Sequence, residues 1–332
     1  MVGSSLIKTL AKEIGFSDCG TAQADRLTEE EYPLDAWLAE GCNAEMAYME
    51  RNRGMRRDPR LLVEGARSVI SLVLAYKPDR LMEGHYKIAQ YAYGEDYHER
   101  LKRMMYQLIA AIKERHPDFE ARPFVDTAPI SDRHWAARAG LGWIGRNNLF
   151  IHPLHGTYCF LGEIVTTSEI DNYDQPLAAK PTVTDIVEDP DRIPEPHHQP
   201  TAASSLCGNC MLCVNACPNH AIVSLKNGTY VVDARRCTSY NTIENRSPEL
   251  PDHLNTRGYI FGCDICQLVC PYNKDVPPSF LLTDDRKQEL ESLATADEQT
   301  FRKMVKHSPI NRIKHPQLLR NINKASCNKA SC

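Results

Sequence analysis

Four thiols fall within eleven residues in Cys207-Gly-Asn-Cys210-Met-Leu-Cys213-Val-Asn-Ala-Cys217, and Pro218 follows. Two residues separate each of the first three cysteines, and three separate the third from the fourth. At this spacing the first three thiolates hold one 4Fe-4S cubane and the fourth reaches across to a second. Ligands for the second are present: Cys263, Cys266 and Cys270-Pro271 repeat the pattern in shortened form, and Cys237 stands upstream. The expected sets are Cys207, Cys210, Cys213 and Cys270 for one cluster, and Cys217, Cys237, Cys263 and Cys266 for the other. Structural zinc needs only two separated CxxC pairs, so a tight run of four with CP twice exceeds what zinc requires. Thirteen cysteines with no secretory leader point to a reducing compartment rather than a disulfide framework.

Clusters of this kind only hold and pass single electrons, so the two hundred or so residues before them are expected to bind a substrate or a second cofactor. The 332 residues allow two or three domains. No apolar run approaches a membrane span, and the reading is a cytoplasmic protein without a membrane partner. A formal net charge of -4 gives no overall basic footprint, so any nucleic-acid contact must use a local patch. Neither a GxGxxG after a strand nor a P-loop is present, which leaves no dinucleotide or nucleotide site indicated.

The positioning elements are legible in order. Leu6, Ile7, Leu10 and Ile14 recur at helical spacing, with Ser4 or Ser5 expected as the cap and Gly15 as the stop. A second helix is expected over 34–40. Arg51, Arg53, Arg56, Arg57 and Arg60 then make a basic stretch, either a solvated loop or an anion site. Residues 69–76 read as a strand buried on both faces, and Leu101 to Ile112 as an amphipathic helix whose Met104 and Met105 fill the core. Phe124-Val125 reads as a short strand with Asp126 at its carboxyl end, followed by a helix from Ser131 or Asp132 to Ala139. In a layered α/β domain that strand end is where ligands bind. Three glycines at 140, 142 and 145 surround Trp143, as tight turns or as backbone that a flat ligand can approach. Residues 158–167 read as another strand. Six prolines between 171 and 205 mark a linker or insertion, within which adjacent His197 and His198 read as solvated. The expected layout is an α/β (α+β) domain at 1–170, the linker at 171–205, a ferredoxin-like two-cluster domain at 206–275 and a short helical segment at 276–332. The terminal Lys-Ala-Ser-Cys echo has no physical account.

Phe124-Val-Asp126-Thr-Ala-Pro-Ile, Ala139-Gly-Leu-Gly-Trp-Ile-Gly145, Phe160-Leu-Gly-Glu163, Asp233-Ala-Arg-Arg-Cys237-Thr-Ser-Tyr240 and Tyr259-Ile-Phe-Gly-Cys263-Asp-Ile-Cys266 jointly resemble epoxyqueuosine reductases over about residues 1–320. The resemblance implies a cobalamin-dependent oxidoreductase that reduces the epoxide of epoxyqueuosine at the tRNA wobble position to give queuosine. Cobalamin would bind base-off between the α/β domain and the clusters, and the sequence carries no DxHxxG that would replace the lower base. Asp126 is implied as proton donor, with a raised pKa in a site desolvated by the corrin. Its alternative is an Asx turn with Thr127. Arg51, Ser239, Asp264, Asn147 and Asn148, with Asp126, are implied cobalamin neighbours. Lys314, Arg320, Arg53, Arg56 and Arg57 are the expected tRNA phosphate contacts. A flavodoxin- or ferredoxin-type electron donor and a monomeric state complete the expectation. Against the family, the insertion before Cys207 is long and the helical tail stops early. The competing readings are a corrinoid reductive dehalogenase, which would need a twin-arginine leader, and an electron-transfer activator of a separate corrinoid protein.

Overall fold

A computed structural model describes residues 1–82, 84–126, 128–177 and 205–330. Most of the 171–205 linker, with His197 and His198, lies outside these residues, as do Thr127 and the end of the terminal echo.

The first unit is built on four strands, β1 (Asp18–Gln23), β2 (Ser68–Ala75), β4 (Ala121–Phe124) and β7 (Cys159–Thr166), in the order β1-β2-β7-β4. The short β3 (Lys87–Ile88), β5 (Trp143–Ile144) and β6 (Phe150–Ile151) lie outside this sheet. Every pairing in the sheet is antiparallel, with Ser71 opposite both Gly20 and Glu163. The sheet is therefore α+β in character, and the strand-end rule for parallel sheets does not explain the position of Asp126. One face of the sheet is covered by helices Ser4–Ile14 and Tyr97–Lys113, which bury Ile7, Leu10, Met105 and Leu108 against Ile70, Leu72 and Ile164. The other face is covered by helix Asp132–Arg138 and the β5–β6 hairpin, around the fully buried Trp135. Apolar neighbours on both faces explain the unbroken Val/Ile/Leu run of β2.

Two local expectations change. Gly3, not a serine, caps the first helix, and the Ser4 amide is satisfied by Asp171 Oδ1 at 2.8 Å. Asp174 likewise accepts from Lys8 and from Thr21, so residues 171 and 174 are fastened to the first unit. In the glycine segment, a Cβ on Gly142 would strike the Ile151 carbonyl and the Phe150 ring, and one on Gly145 would strike Ile151 and Asn147. Those glycines are required by the hairpin's own close packing.

The cysteine-rich unit contains the hairpin β8 (Ile222–Ser224) and β9 (Tyr230–Val232), with short helices beside the thiols. Its last strand, β10 (Tyr259–Phe261), pairs in parallel with β3. Helices Asp284–Ser292, Glu298–Met304 and His315–Ala330 then close a core that combines Met82, Ile88 and Tyr93 with Phe261, Phe301 and Leu318. The Trp37 indole donates to the Val232 carbonyl at 2.8 Å, and Trp143 and Ile151 pack with Leu206 beside Cys207 and Cys270. These are among the places at which the cysteine-rich unit is held to the first.

Candidate active site between the sheet and the cysteine-rich unit

Asp126 follows β4 by two residues with 60% of its side chain accessible, yet it is hemmed by polar partners. Its Oδ2 accepts from the Tyr97 hydroxyl at 2.8 Å and lies 3.5 Å from His98 Nε2. Its backbone N–H donates to Asp132 Oδ2 at 3.2 Å. Tyr97 and His98 begin a long helix because Asp96 caps it, accepting from the His98 amide at 3.0 Å. The same Asp96 oxygen lies 2.7 Å from His98 Nδ1, so the imidazole is bracketed by two carboxylates.

Tyr97 is fixed by stacking. Its ring lies 4.0 Å from His98 and 4.4 Å from Phe160, and Phe160 lies 4.3 Å from Tyr76. The Tyr76 hydroxyl donates to Gln267 Oε1 at 3.1 Å, next to Cys266. An aromatic ladder therefore runs from the cysteine-rich unit to the carboxylate, and offset stacking gives it rigidity.

Burial pushes Asp126 up, but hydrogen bonds from His98 and Tyr97, with the charges of His98 and Arg133, outweigh it and hold the carboxyl below its ordinary range. For His98 burial acts downward, and the hydrogen bonds to Asp126 and Asp96 prevail and raise it. In the open site the two directions are thus Asp126 lowered and His98 raised, whereas the raised Asp126 expected from the sequence belongs to a site desolvated by the corrin. Covering the cleft with an apolar face reverses this, because desolvation penalises both charges and favours the neutral pair. Nearby, burial and then the charge of Asp126 lift Asp132 to about 7. Burial, followed by the charge of Arg133, holds His134 at about 3, and its Nδ1 pairs with Ser131 Oγ at 2.8 Å. The cleft is walled on the far side by the cysteine-rich unit and tail. Burial, then Glu244, Arg312 and Asp126, set the environment of the Tyr48 hydroxyl, which is pushed up to about 12. Arg312 and Glu244 form a two-pronged ion pair at 2.8 and 2.9 Å.

The cysteines of the two motifs lie near one another across the unit, with Cys213 close to members of both expected sets. Burial, then Cys207 and Cys210, raises the Cys213 thiol, while Cys207 and Cys270 pack against the same apolar cluster. Burial, then Cys263, Cys237, Cys213 and Cys217, raises the Cys266 thiol. Backbone amides already point at sulfur: the Ala221 N–H meets Cys217 Sγ at 3.3 Å, and the Tyr240 and Ser239 amides serve Cys237. Such N–H···S bonds stabilise bound thiolates, so the donor set fits two cubanes. Between Tyr48 and Tyr97, whose environments both include Asp126, one carboxylate is left accessible.

The other expected site residues divide. Arg51 is exposed at a helix end, and Ser239 is half-buried. Asn148 adopts φ 58, and its carbonyl accepts from Arg133. Asn147 and Asp264 are committed to protein: Asn147 Nδ2 reaches the Cys266 carbonyl at 3.4 Å, and Asp264 Oδ2 accepts from the Gln90 amide at 2.7 Å. Within the basic stretch Arg57 is buried and paired with Glu29 and Asp35, so its guanidinium is not presented outward. Arg320 holds the Asn245, Ser247 and Asn241 carbonyls. Arg53 and Lys314 remain exposed.

Tyr97, His98, Asp132, Arg133 and Glu163 were not anticipated. A signal existed for Glu163, a lone carboxylate in an apolar strand, and for Asp96, a capping residue just before the Tyr-His pair.

Residues 56–127 match the family model "Epoxyqueuosine reductase QueG, DUF1730", and residues 206–273 match "4Fe-4S double cluster binding domain". The epoxyqueuosine reductase of Cellulophaga algicola is 38% identical over 327 residues, covering 96% of each chain. That of Synechocystis is 38% identical over 299 residues, covering 87% of this chain and 92% of the relative. The solved epoxyqueuosine reductase of Streptococcus thermophilus superposes with a TM-score of 0.77 at 28% identity, over 97% of this chain and 80% of that one. An epoxyqueuosine reductase solved with an epoxyqueuosine-modified tRNA-Tyr stem loop gives a TM-score of 0.75 at 26% identity over the same shares. Among the described residues no helix is long and apolar enough to cross a membrane. With full-length identity of this order, the chain belongs to the epoxyqueuosine reductase family.

Proposed function

We propose that this chain reduces the epoxide of epoxyqueuosine in tRNA to the alkene of queuosine, with Asp126 delivering the proton. The observation that carries the proposal is an accessible carboxylate, hydrogen-bonded to Tyr97 and paired with His98, in a cleft between the sheet and eight cysteines. Cobalamin is the proposed cofactor of that cleft, with Arg51, Asn148, Ser239 and Asp126 around it and Asn147 and Asp264 supporting from behind. When bound, cobalamin supplies a strongly reducing low-valent cobalt, and the clusters supply single electrons to it from a flavodoxin- or ferredoxin-type donor. Cytoplasmic location and a monomeric enzyme belong to the same proposal.

Epoxide oxygen leaves poorly until it is protonated. His98 holds a proton next to Asp126, and covering the cleft moves that proton onto the carboxyl, where it faces the substrate. Tyr97 keeps its phenol protonated, since burial and then the charge of Asp126 lift it well above its ordinary value, and so it donates a fixed hydrogen bond that orients Asp126. Asp96 fixes the His98 ring from the other side. The exposed Arg53 and Lys314 are the proposed phosphate contacts, and their binding weakens with salt.

The test is anaerobic reconstitution with iron, sulfide and cobalamin, followed by reductant and tRNA carrying epoxyqueuosine, with the nucleosides read by mass spectrometry. Loss of one oxygen from the modified base, abolished in Asp126→Asn, is the expected result. Unchanged nucleoside with a fully loaded enzyme would overturn the reading.

A further inference from the structure

Glu163 sits in the middle of β7, completely buried, and neither carboxyl oxygen has a hydrogen-bond partner. Across the ladder it faces Ser71 on one side and Phe124 on the other, and Phe124 lies two residues before Asp126. Ser71 is completely buried as well, and its Oγ is unpaired. Strand alternation places Ser71 and Glu163 on the face that also buries Val69, Val73, Leu161 and Val165. That face is covered by helix Asp132–Arg138, whose buried Trp135 carries an unpaired Nε1. Gly20 allows the cover to lie close, since a Cβ there would strike the Ala139 carbonyl.

Two unpaired polar side chains on the sheet and a third on the helix above them are unusual in a core, because buried polar groups are as a rule hydrogen-bonded, often through internal water. The first residue of that helix, Asp132, takes the Asp126 amide at 3.2 Å. Asp132 thus ties the helix that covers Glu163 to the backbone of the accessible Asp126. The charged groups acting on Glu163 are Asp132 and Asp126, and Arg133 acts on both of these.

We propose that Glu163, with Ser71 and Trp135, is an internal proton store that refills Asp126 through Asp132 during epoxide reduction. This rests on the function proposed above. The chemistry requires such a store: two electrons and two protons convert the epoxide to an alkene and water. Both carbon–oxygen bonds break, one carbon–carbon π bond forms, and the oxygen leaves with both protons. The electrons come from the low-potential donor already named. Asp126 gives one proton, and a cleft covered by cofactor and substrate needs a protein route for the next. Burial, then the charges of Asp132 and Asp126, keeps the Glu163 carboxyl well above its ordinary value and so protonated. Glu163 does not touch the substrate, so its role is that of a positioning residue.

Infrared difference spectroscopy of the full chain at neutral pH, before cofactor loading, is expected to give the carbonyl stretch of a protonated carboxyl that is lost in Glu163→Gln. With the loaded enzyme and modified tRNA, the same isosteric variant is expected to lower kcat about tenfold at unchanged KM, a fraction of what losing a positioned acid costs. Asp132→Asn should lower kcat in the same way, and the deficit of both should grow as pH rises. Absence of the band in wild type, or a Glu163→Gln variant with the band lost but the wild-type kcat across pH, overturns the proton store. A wild type that shows the band but leaves the nucleoside unchanged overturns the reduction reading, and the relay with it.

Discussion

Asp132→Asn is predicted to stabilise the protein at alkaline pH and to leave it unchanged in acid. Asp132 stands at the start of helix Asp132–Arg138, where burial and then the charge of Asp126 lift its carboxyl from 3.8 to about 7. In the unfolded chain the group titrates near 3.8. The folded state thus binds the proton more tightly, and stability falls as pH rises from about 4 to about 7. A displacement of that size corresponds to ~4 kcal/mol once Asp132 is ionised in both states. Asparagine keeps an acceptor for the Asp126 amide and carries no charge, so it removes this penalty. It also forfeits the interaction of a first-turn carboxylate with the helix dipole, about 0.3–1 kcal/mol. The net expectation at pH 8 is a gain of ~3–4 kcal/mol, shrinking to about zero or a slight loss at pH 4. Anaerobic urea unfolding of wild type and variant, followed by far-ultraviolet circular dichroism at both pH values, reads the difference. Comparing the two proteins cancels the background from His98; Glu163 also binds its proton more tightly when folded, and because Asp132 acts on it the measured difference includes the release of that coupling. A variant less stable than wild type at pH 8, or a difference that does not change with pH, would refute the carboxyl coupling.

Two further outcomes follow from the junction and the thiols. Asn273→Ala removes three hydrogen bonds, from Nδ2 to Thr157 Oγ1 at 2.8 Å and to the Gln267 carbonyl at 2.6 Å, and from the Thr157 amide to Oδ1 at 2.8 Å. It should cost ~2–4 kcal/mol, because buried partners are left unpaired, and an unchanged urea midpoint would count against that. Cys213→Ser and Cys237→Ser should each halve the bound iron while sparing the other cluster's electron paramagnetic resonance signal. Equal loss of both signals in either variant would contradict the two ligand sets.

The cysteines were legible because their ligand geometry is largely local: spacings of two and three residues bring sulfur atoms to one side of a loop. Helix Tyr97–Lys113 was legible for a similar reason, since Leu101, Met105, Leu108 and Ile112 repeat at its period and are buried. Asp126 needed the family resemblance, because a strand-end aspartate carries no period and its partners come from the start of a helix 29 residues upstream. The direction in which its carboxyl is shifted could not be read either, because it is set by burial and by His98, Tyr97 and Arg133, which the fold brings to it. The glycine segment left tight turns and a ligand's approach both open, and only the fold shows that the backbone it admits is Ile151 of its own hairpin. Arg57 looked like part of a basic surface, and only the fold brings Glu29 and Asp35 to it.

The parallel pairing of Lys87–Ile88 with Tyr259–Phe261 has a consequence for how the molecule is made. A contact between segments that far apart in sequence forms late, after the loop between them has been closed at an entropic cost. During synthesis Cys207 to Cys217 leave the ribosome well before Cys263 to Cys270, so neither ligand set is complete until the last of these cysteines has been made. Metal loading is then a step that follows chain completion, and the growing polypeptide carries open thiols until then. Cells short of iron or sulfide should accumulate this chain as a partly folded, oxidation-sensitive species, with its first sheet formed and its second unit unsealed.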